Sequence, residues 1–175
     1  THFGPQEAVI LHMVSKINPN TKILWVDSGY NTKQTYIFAD YLQKTLNLNL
    51  KVYTPLVTAA RRDSVMNGIP TIDSPEHQAF TQQFKLEPFL RAMQELKPDV
   101  WLTAIRREQT AFRENMNIVD IGPNNVIKVS PFLDWKLADM KNYLKTHNLK
   151  DENKYFDPTK VEAGRECGLH TIDKN

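Results

Sequence analysis

The six residues Arg165-Glu166-Cys167-Gly168-Leu169-His170 hold the one cysteine of the chain. A lone thiol makes no internal disulfide and lacks the partner thiols of a structural zinc site. Cys167 lies between Gly164 and Gly168 in a polar stretch, not on an apolar helical stripe. Such a setting leaves a thiol accessible and lets charged neighbours tune its thiolate fraction. Arg165 and His170 favour the anion and Glu166 opposes it, so residue types alone fix no direction. Nucleophilic thiol chemistry is one reading of the stretch, and an incidental cysteine is the other. Elsewhere the positive charge is local: Arg61-Arg62, Arg106-Arg107 with Arg113, and Lys160 with Arg165. Guanidinium pairs offer planar donor forks to sulfate or phosphate oxygens, but serve equally as solvated faces unless a cleft converges them.

At 175 residues, with 41% hydrophobic and 24% charged residues, the chain suits one soluble domain with a proper core. The net charge of +2 gives no global field that suggests nucleic acid. There is no apolar run of bilayer-spanning length and no signal-peptide pattern, so neither membrane nor export is expected. One cysteine without a disulfide framework fits a reducing cytoplasm, and the chain is read as cytoplasmic.

The elements that would position these residues alternate between strand and helix. His2-Phe3-Gly4 forms a loop, and Pro5 opens a helix that runs to about Ile17, with His12 on its inward face. Because the chain opens on a loop, the fold's first strand is expected upstream of Thr1. Residues 22–26 read as a buried parallel strand ending in the turn Asp27-Ser28-Gly29. Thr32 caps the next helix, whose inward face is drawn through Tyr36, Ile37, Ala39, Asp40 and Leu42. A second strand spans 50–53, and short helices are expected over 58–66 and 75–84, with Asn67-Gly68 as a stop. An amphipathic helix over 86–96 precedes a third strand at 100–103, which opens onto Arg106-Arg107. A fourth strand at 126–129 leads to a helix capped by Asp134 and ending near His147. From Lys150 on, the sequence reads as polar and irregular. The expected fold is α/β, a mostly parallel sheet with helices on both faces. It forms a single domain, with residues 1–150 as the α/β core and 151–175 as a mobile tail carrying Cys167. In such sheets ligands bind beyond the carboxyl ends of the strands, which gathers the loops at 1–4, 27–30 and 105–107 around one crevice.

Glu166-Cys167-Gly168-Leu169-His170 resembles the catalytic signature of the phosphoadenylyl-sulfate (PAPS) reductases, of the adenine-nucleotide α-hydrolase superfold. Five further segments resemble that family in its order. His2-Phe3-Gly4-Pro5-Gln6 with Leu11-His12 resembles the end of the phosphate loop and its helix, and Asp27-Ser28-Gly29-Tyr30 the turn against the nucleotide. Lys85-Leu86-Glu87-Pro88 resembles the segment supplying a substrate-facing lysine. Arg106-Arg107-Glu108-Gln109 with Arg113 resembles the arginine motif facing the substrate's anionic end. Ile127-Lys128-Val129 with Asp134-Trp135 resembles the strand and helix start before the catalytic tail.

The resemblance implies that Cys167 is the nucleophile, flanked by Glu166 and His170. Substrate would be held by His2, Phe3, Gly4, Asp27, Ser28, Gly29, Lys85, Arg106, Arg107, Arg113 and Arg165. It implies PAPS as substrate, thioredoxin or glutaredoxin as reductant, no bound cofactor or metal, and leaves a homodimer open. Without paired cysteines there is no iron–sulfur cluster within one chain. The sequence departs from the family where His2 takes a serine-like place and where the stretch 149–165 is short, so recognition of a 3′-phosphate is left open. Alternatives are adenylyl sulfate (APS) as substrate, a nucleotide-binding protein of the same superfold without turnover, or an ATP-dependent ligase of that superfold. For Asp27 the alternative role is capping its own turn, for Lys85 an exposed lysine at a helix start, and for Arg106-Arg107 a surface pair on carboxylates.

Overall fold

The computed structural model describes residues 1–160. The described residues form five strands and six α-helices, in the order α1 (Glu7–Ile17), β1 (Lys22–Val26), α2 (Lys33–Leu46), β2 (Asn49–Tyr53), α3 (Ala59–Val65), α4 (Glu76–Thr81), α5 (Glu87–Leu96), β3 (Val100–Leu102), β4 (Val119–Ile121), β5 (Ile127–Val129) and α6 (Leu137–Thr146). β1 and β2 pair in parallel, and β5 lies between β3, parallel to it, and β4, antiparallel. The expected α/β class therefore holds, with one antiparallel edge strand, β4, that the sequence analysis does not anticipate.

Alternation within β1 divides the interior. Ile23 and Trp25 point into a cluster with Val9, Phe38, Leu42, Phe132, Met140 and Leu144, which α1, α2 and α6 cover. Leu24 and Val26 point the other way, onto Phe89, Met93 and Val126, with Trp101 of β3 beside them. One helix, α5, thus packs against both strand groups, and helices lie on both faces as period-2 alternation requires.

Local chemistry explains most boundaries. The Thr32 side chain accepts from the Thr35 N–H at the start of α2, as expected of a threonine N-cap. Asn67 and Gly68, both at positive φ, end the α3 segment. The buried face of α2 is Thr35, Phe38, Ala39 and Leu42, so the expected face is shifted: Ile37 and Tyr36 are exposed. Asp134 does not cap α6. Lys136 stands there, its N–H bound by the Asp139 carboxylate at 2.7 Å, and Asp134 turns to Arg107 instead. Between α4 and α5 the chain winds as a π-helix over Gln82–Leu86, so the expected break at Phe84 becomes one continuous helical run. Such wide turns re-phase the side chains that follow them, often at functional sites.

The stretch from Lys150 is irregular, but its first ten residues belong to the packed body. Glu152, Pro158 and Thr159 are buried, and Asp151 and Asp157 bond to the opening loop and to Lys85. Among the described residues no helix is long and apolar enough to cross a membrane.

Candidate active site

The opening loop is built against the tail segment. Phe3 is fully buried with φ 52, edge-on to Trp25 at 5.0 Å between ring centres. Burial of the ring fixes a left-handed backbone that a phenylalanine otherwise avoids. Gln6, also left-handed at φ 62, precedes α1. Its N–H donates to Asp151 Oδ1 at 2.6 Å and its side-chain amide to Asp151 Oδ2 at 3.1 Å. A carboxylate thus occupies the donor at the start of α1, where the positive end of the helix favours an anion. His2 Nδ1 lies 3.3 Å from Glu7 Oε1, and its ring meets Tyr155 at 4.6 Å. The backbone of Gly4 passes so near that a Cβ there would come within 2.5 Å of His2 Nε2 and 3.0 Å of the Tyr155 ring.

Lys85 projects from the π-helical turn into this region. Its ammonium pairs with Asp157 Oδ2 and donates to Thr159 Oγ1 at 3.2 Å. The pair is largely out of water, with 15% of the lysine and 8% of the aspartate side chain exposed. Burial alone would raise the Asp157 pKa. The Lys85 ammonium and the donors of Lys85 and Thr159 outweigh it and hold the carboxyl below the ordinary aspartate value. Thr159 is held again through its carbonyl, 3.2 Å from His77 Nε2, while His77 Nδ1 lies 3.3 Å from the Pro70 carbonyl. The charges of Lys85 and Asp157 both act on His2, whose pKa is lowered first by desolvation, then by the amino-terminal ammonium and Lys85, against Glu7 and Asp157.

The turn after β1 closes on itself. Asp27 Oδ1 accepts from the Gly29 N–H (3.0 Å), the Asn31 amide (2.8 Å) and the Tyr36 hydroxyl (2.8 Å). Partial burial of the Tyr36 phenol and its bond to Asp27 push that pKa up to about 12. Ser28 Oγ accepts from the Tyr30 N–H, and Gly29, at φ 78, leaves room for Ala59. Tyr30 donates to Asp63 at 2.7 Å and packs on Phe84 at 5.4 Å, which ties this turn to the helix carrying Lys85.

The arginines sit differently. Arg106 is buried, its Nε 3.2 Å from Glu108 Oε1 and its Nη1 3.5 Å from Gln6 Oε1, so it reaches the opening loop. Arg107 pairs with Asp134 at 2.9 Å and donates through Nη1 to the carbonyls of Glu114 and Met116 at 2.5 and 2.8 Å. Its guanidinium clamps the loop that leads to β4. Arg113 is buried and bonds to the Gln109 side chain.

The structure therefore brings together His2, Phe3, Gly4, Lys85 and, through Gln6, Arg106. Asp27, Ser28 and Gly29 join them by way of Tyr30. Arg107 and Arg113 organise the loop beside them. Glu166, Cys167, His170 and Arg165 lie outside the described residues. Sequence reasoning missed Gln6, Asp151, Asp157 and Thr159, although Asp157-Pro158-Thr159 carries the residue types of a side-chain-closed turn. It also missed the buried hydroxyl pair at the ends of β3 and β5, Thr103 Oγ1 to Ser130 Oγ at 2.8 Å. A groove along α6, lined by Trp135, Asp139, Tyr143 and His147, holds none of the expected site residues. Among the described residues no cluster of three or more histidine, cysteine, aspartate or glutamate side chains could hold a metal ion.

In α/β folds of this kind ligands bind in crevices beyond the carboxyl ends of the strands. Residues 1–157 match the family model of the phosphoadenosine phosphosulfate reductase domain, and the chain belongs to that family. It is 40% identical to phosphoadenosine 5′-phosphosulfate reductase of Synechocystis sp., over 94% of this chain and 66% of that protein. It is 35% identical to the enzyme of that name from Vibrio vulnificus, over 98% of this chain and 74% of the relative. The fold matches the crystal structure of phosphoadenylyl-sulfate (PAPS) reductase from Candida auris in its phosphate complex. That match has a TM-score of 0.73 and 23% identity, and covers 87% of this chain and 72% of the other. The chain spans about two thirds of the length of the curated relatives it matches.

Proposed function

We propose that the protein is a sulfonucleotide reductase of sulfate assimilation, converting 3′-phosphoadenylyl sulfate to sulfite and adenosine 3′,5′-bisphosphate. The observation that carries this reading is the family match over residues 1–157, continued by Glu166-Cys167-Gly168-Leu169-His170 in the sequence. The Cys167 thiolate attacks the sulfonate sulfur. An S–S bond forms, the S–O bond to the nucleotide breaks, and its electron pair leaves on the phosphate oxygen. The product on the chain is an S-sulfocysteine. A thiolate of thioredoxin or glutaredoxin then attacks Cys167 Sγ, releases sulfite, and is itself oxidised to a disulfide as its second thiol displaces Cys167.

Lys85 neutralises charge at the sulfonate and leaving phosphate, and the loop at His2–Gly4 with the Asp27 turn frames the nucleotide. Adenylyl sulfate is the second substrate reading, favoured by the short stretch at 149–165. The test is incubation of the protein with each sulfonucleotide and no reductant, followed by mass spectrometry. A sulfonate adduct on Cys167, absent from Cys167→Ser, is the expected result. Nucleotide binding with no adduct from either substrate would leave a binding protein without turnover.

A further inference from the structure

The segment that precedes the cysteine motif is fastened by one carboxylate. Asp157 gives Oδ2 to Lys85, and Oδ1 accepts from both the N–H (3.0 Å) and the hydroxyl (2.7 Å) of Thr159. Thr159 Oγ1 in turn accepts from the Lys85 ammonium, which closes a ring of three hydrogen bonds, with the Thr159 N–H bond as a fourth beside it. Pro158 between them is buried, and proline fixes its own φ while restricting the residue before it. His77, itself 4% exposed, grips the Thr159 carbonyl from the far side. An ammonium has three N–H donors, and Asp157 and Thr159 engage two of them. Both acceptors lie on the tail segment, so they also fix the direction in which the third N–H points.

We infer that Asp157 is a positioning residue of the reaction, setting the Lys85 ammonium toward the anionic substrate. This rests on the reductase reading above. Seven residues lie between Thr159 and Cys167 in the sequence, a reach of at most about 27 Å for an extended chain. Without the Asp157 carboxylate the ammonium loses one of the two acceptors that fix its direction, and the near-attack geometry on which the rate depends becomes rarer.

The test compares the full chain with Asp157→Asn, which keeps the shape and removes the charge, and with Asp157→Glu. Single-turnover sulfonation of Cys167 is followed by mass spectrometry without reductant, alongside the dissociation constant of adenosine 3′,5′-bisphosphate and the thermal midpoint. Asp157→Asn is expected to slow sulfonation by about tenfold or more, the scale of one lost hydrogen bond to a charged group. Nucleotide affinity should stay within about threefold, a few tenths of the free energy of such a bond. Asp157→Glu should recover part of the rate. Sulfonation at the parent rate in Asp157→Asn overturns the inference. So does a fall in rate matched by equal losses in affinity and midpoint, which marks a residue that only holds the fold. If the parent protein is not sulfonated while nucleotide binds, the reductase reading itself fails, and the positioning role falls with it.

Discussion

Lys85 and Asp157 form the most deeply withdrawn ion pair described in the chain, and its energetics can be taken apart by a double-mutant cycle. The perturbations are Lys85→Met, Asp157→Leu and the two together, measured by urea unfolding. With both partners well under a third exposed, solvent screening leaves most of the interaction intact. Removal of one partner leaves the other charge withdrawn from water, which costs about 3–5 kcal/mol when the site cannot open. Segment 151–160 has no helix or strand, and its undocking would return Lys85 to solvent, so the cost of undocking is the upper limit for each single substitution. We expect about 2–4 kcal/mol for either single, reaching below the range of about 3–5 kcal/mol for a buried pair that cannot be re-solvated. The double variant, which leaves no stranded charge, should cost less than the two singles combined, with a coupling energy above about 1 kcal/mol.

Acidification offers an independent reading of the same pair. Asp157 titrates below its ordinary value in the folded chain, so the unfolded state takes up the proton first as pH falls. The stability due to this carboxylate is complete above the unfolded value of about 3.9 and is lost as pH drops through the lower folded pKa. The gap between parent and Asp157→Leu should be flat from neutral pH to about 4.5 and narrow below about 3.9. Additive single substitutions, within about 0.5 kcal/mol, together with a gap that does not change in acid would refute the pair as a coupled, withdrawn unit.

Three further outcomes follow from the geometry. Arg107→Ala should lower the thermal midpoint and weaken adenosine and sulfonucleotide equally, because the guanidinium is committed to Asp134 and to the carbonyls of Glu114 and Met116; selective loss of the sulfonucleotide in equilibrium binding would contradict this. Gly29→Ala should cost about 1–2 kcal/mol in urea unfolding, the usual penalty for a side chain in the left-handed region, since Gly29 has φ 78 and a Cβ there meets Ala59 at 3.1 Å. Tyr30 and Tyr36, both raised to about 12, should ionise last in an ultraviolet absorbance titration. As the unfolded phenols lose their protons near pH 10, stability should fall between about pH 10 and 12; a titration in which all tyrosines ionise together near 10 would oppose it.

The fold was legible wherever local chemistry and packing agree. Residues 22–26 are apolar on both faces because helices cover both sides of β1, and Thr32 and Asn67-Gly68 carry their boundary signals in their own side chains and backbones. What escaped depends on partners distant in sequence. Val119-Asp120-Ile121 is too short to show a period and becomes a strand only because β5 pairs with it. Asp134 has the residue type of a cap, but Arg107, 27 positions away, takes its carboxylate. Asp151 and Asp157 read as polar tail residues until Gln6 and Lys85, 145 and 72 positions away, are seen to bind them. Helix faces slipped for the same reason: Tyr36 looks inward by spacing, but its hydroxyl is drawn out to Asp27 at the surface.

The charge arrangement decides which cation can meet an anionic substrate. His2, Lys85, Arg106 and Arg107 each face a carboxylate already, those of Glu7, Asp157, Glu108 and Asp134. A sulfonucleotide arriving at this end of the sheet therefore meets paired charges, and each contact is either an exchange or an addition. Exchange at Arg107 gives up an exposed carboxylate, which is cheap, but also two main-chain carbonyls that close its loop, which is not. Exchange at Arg106 uncovers a buried guanidinium's link to Gln6. Lys85 needs no exchange: with two donors on Asp157 and Thr159, it can accept a sulfonate or phosphate oxygen as its third partner while the withdrawn pair stays closed. Addition without release avoids the cost of re-solvating Asp157, so under the reductase reading proposed above we assign to the lysine on the π-helical turn, rather than to the more conspicuous arginine pair, the role of following charge onto the leaving phosphate.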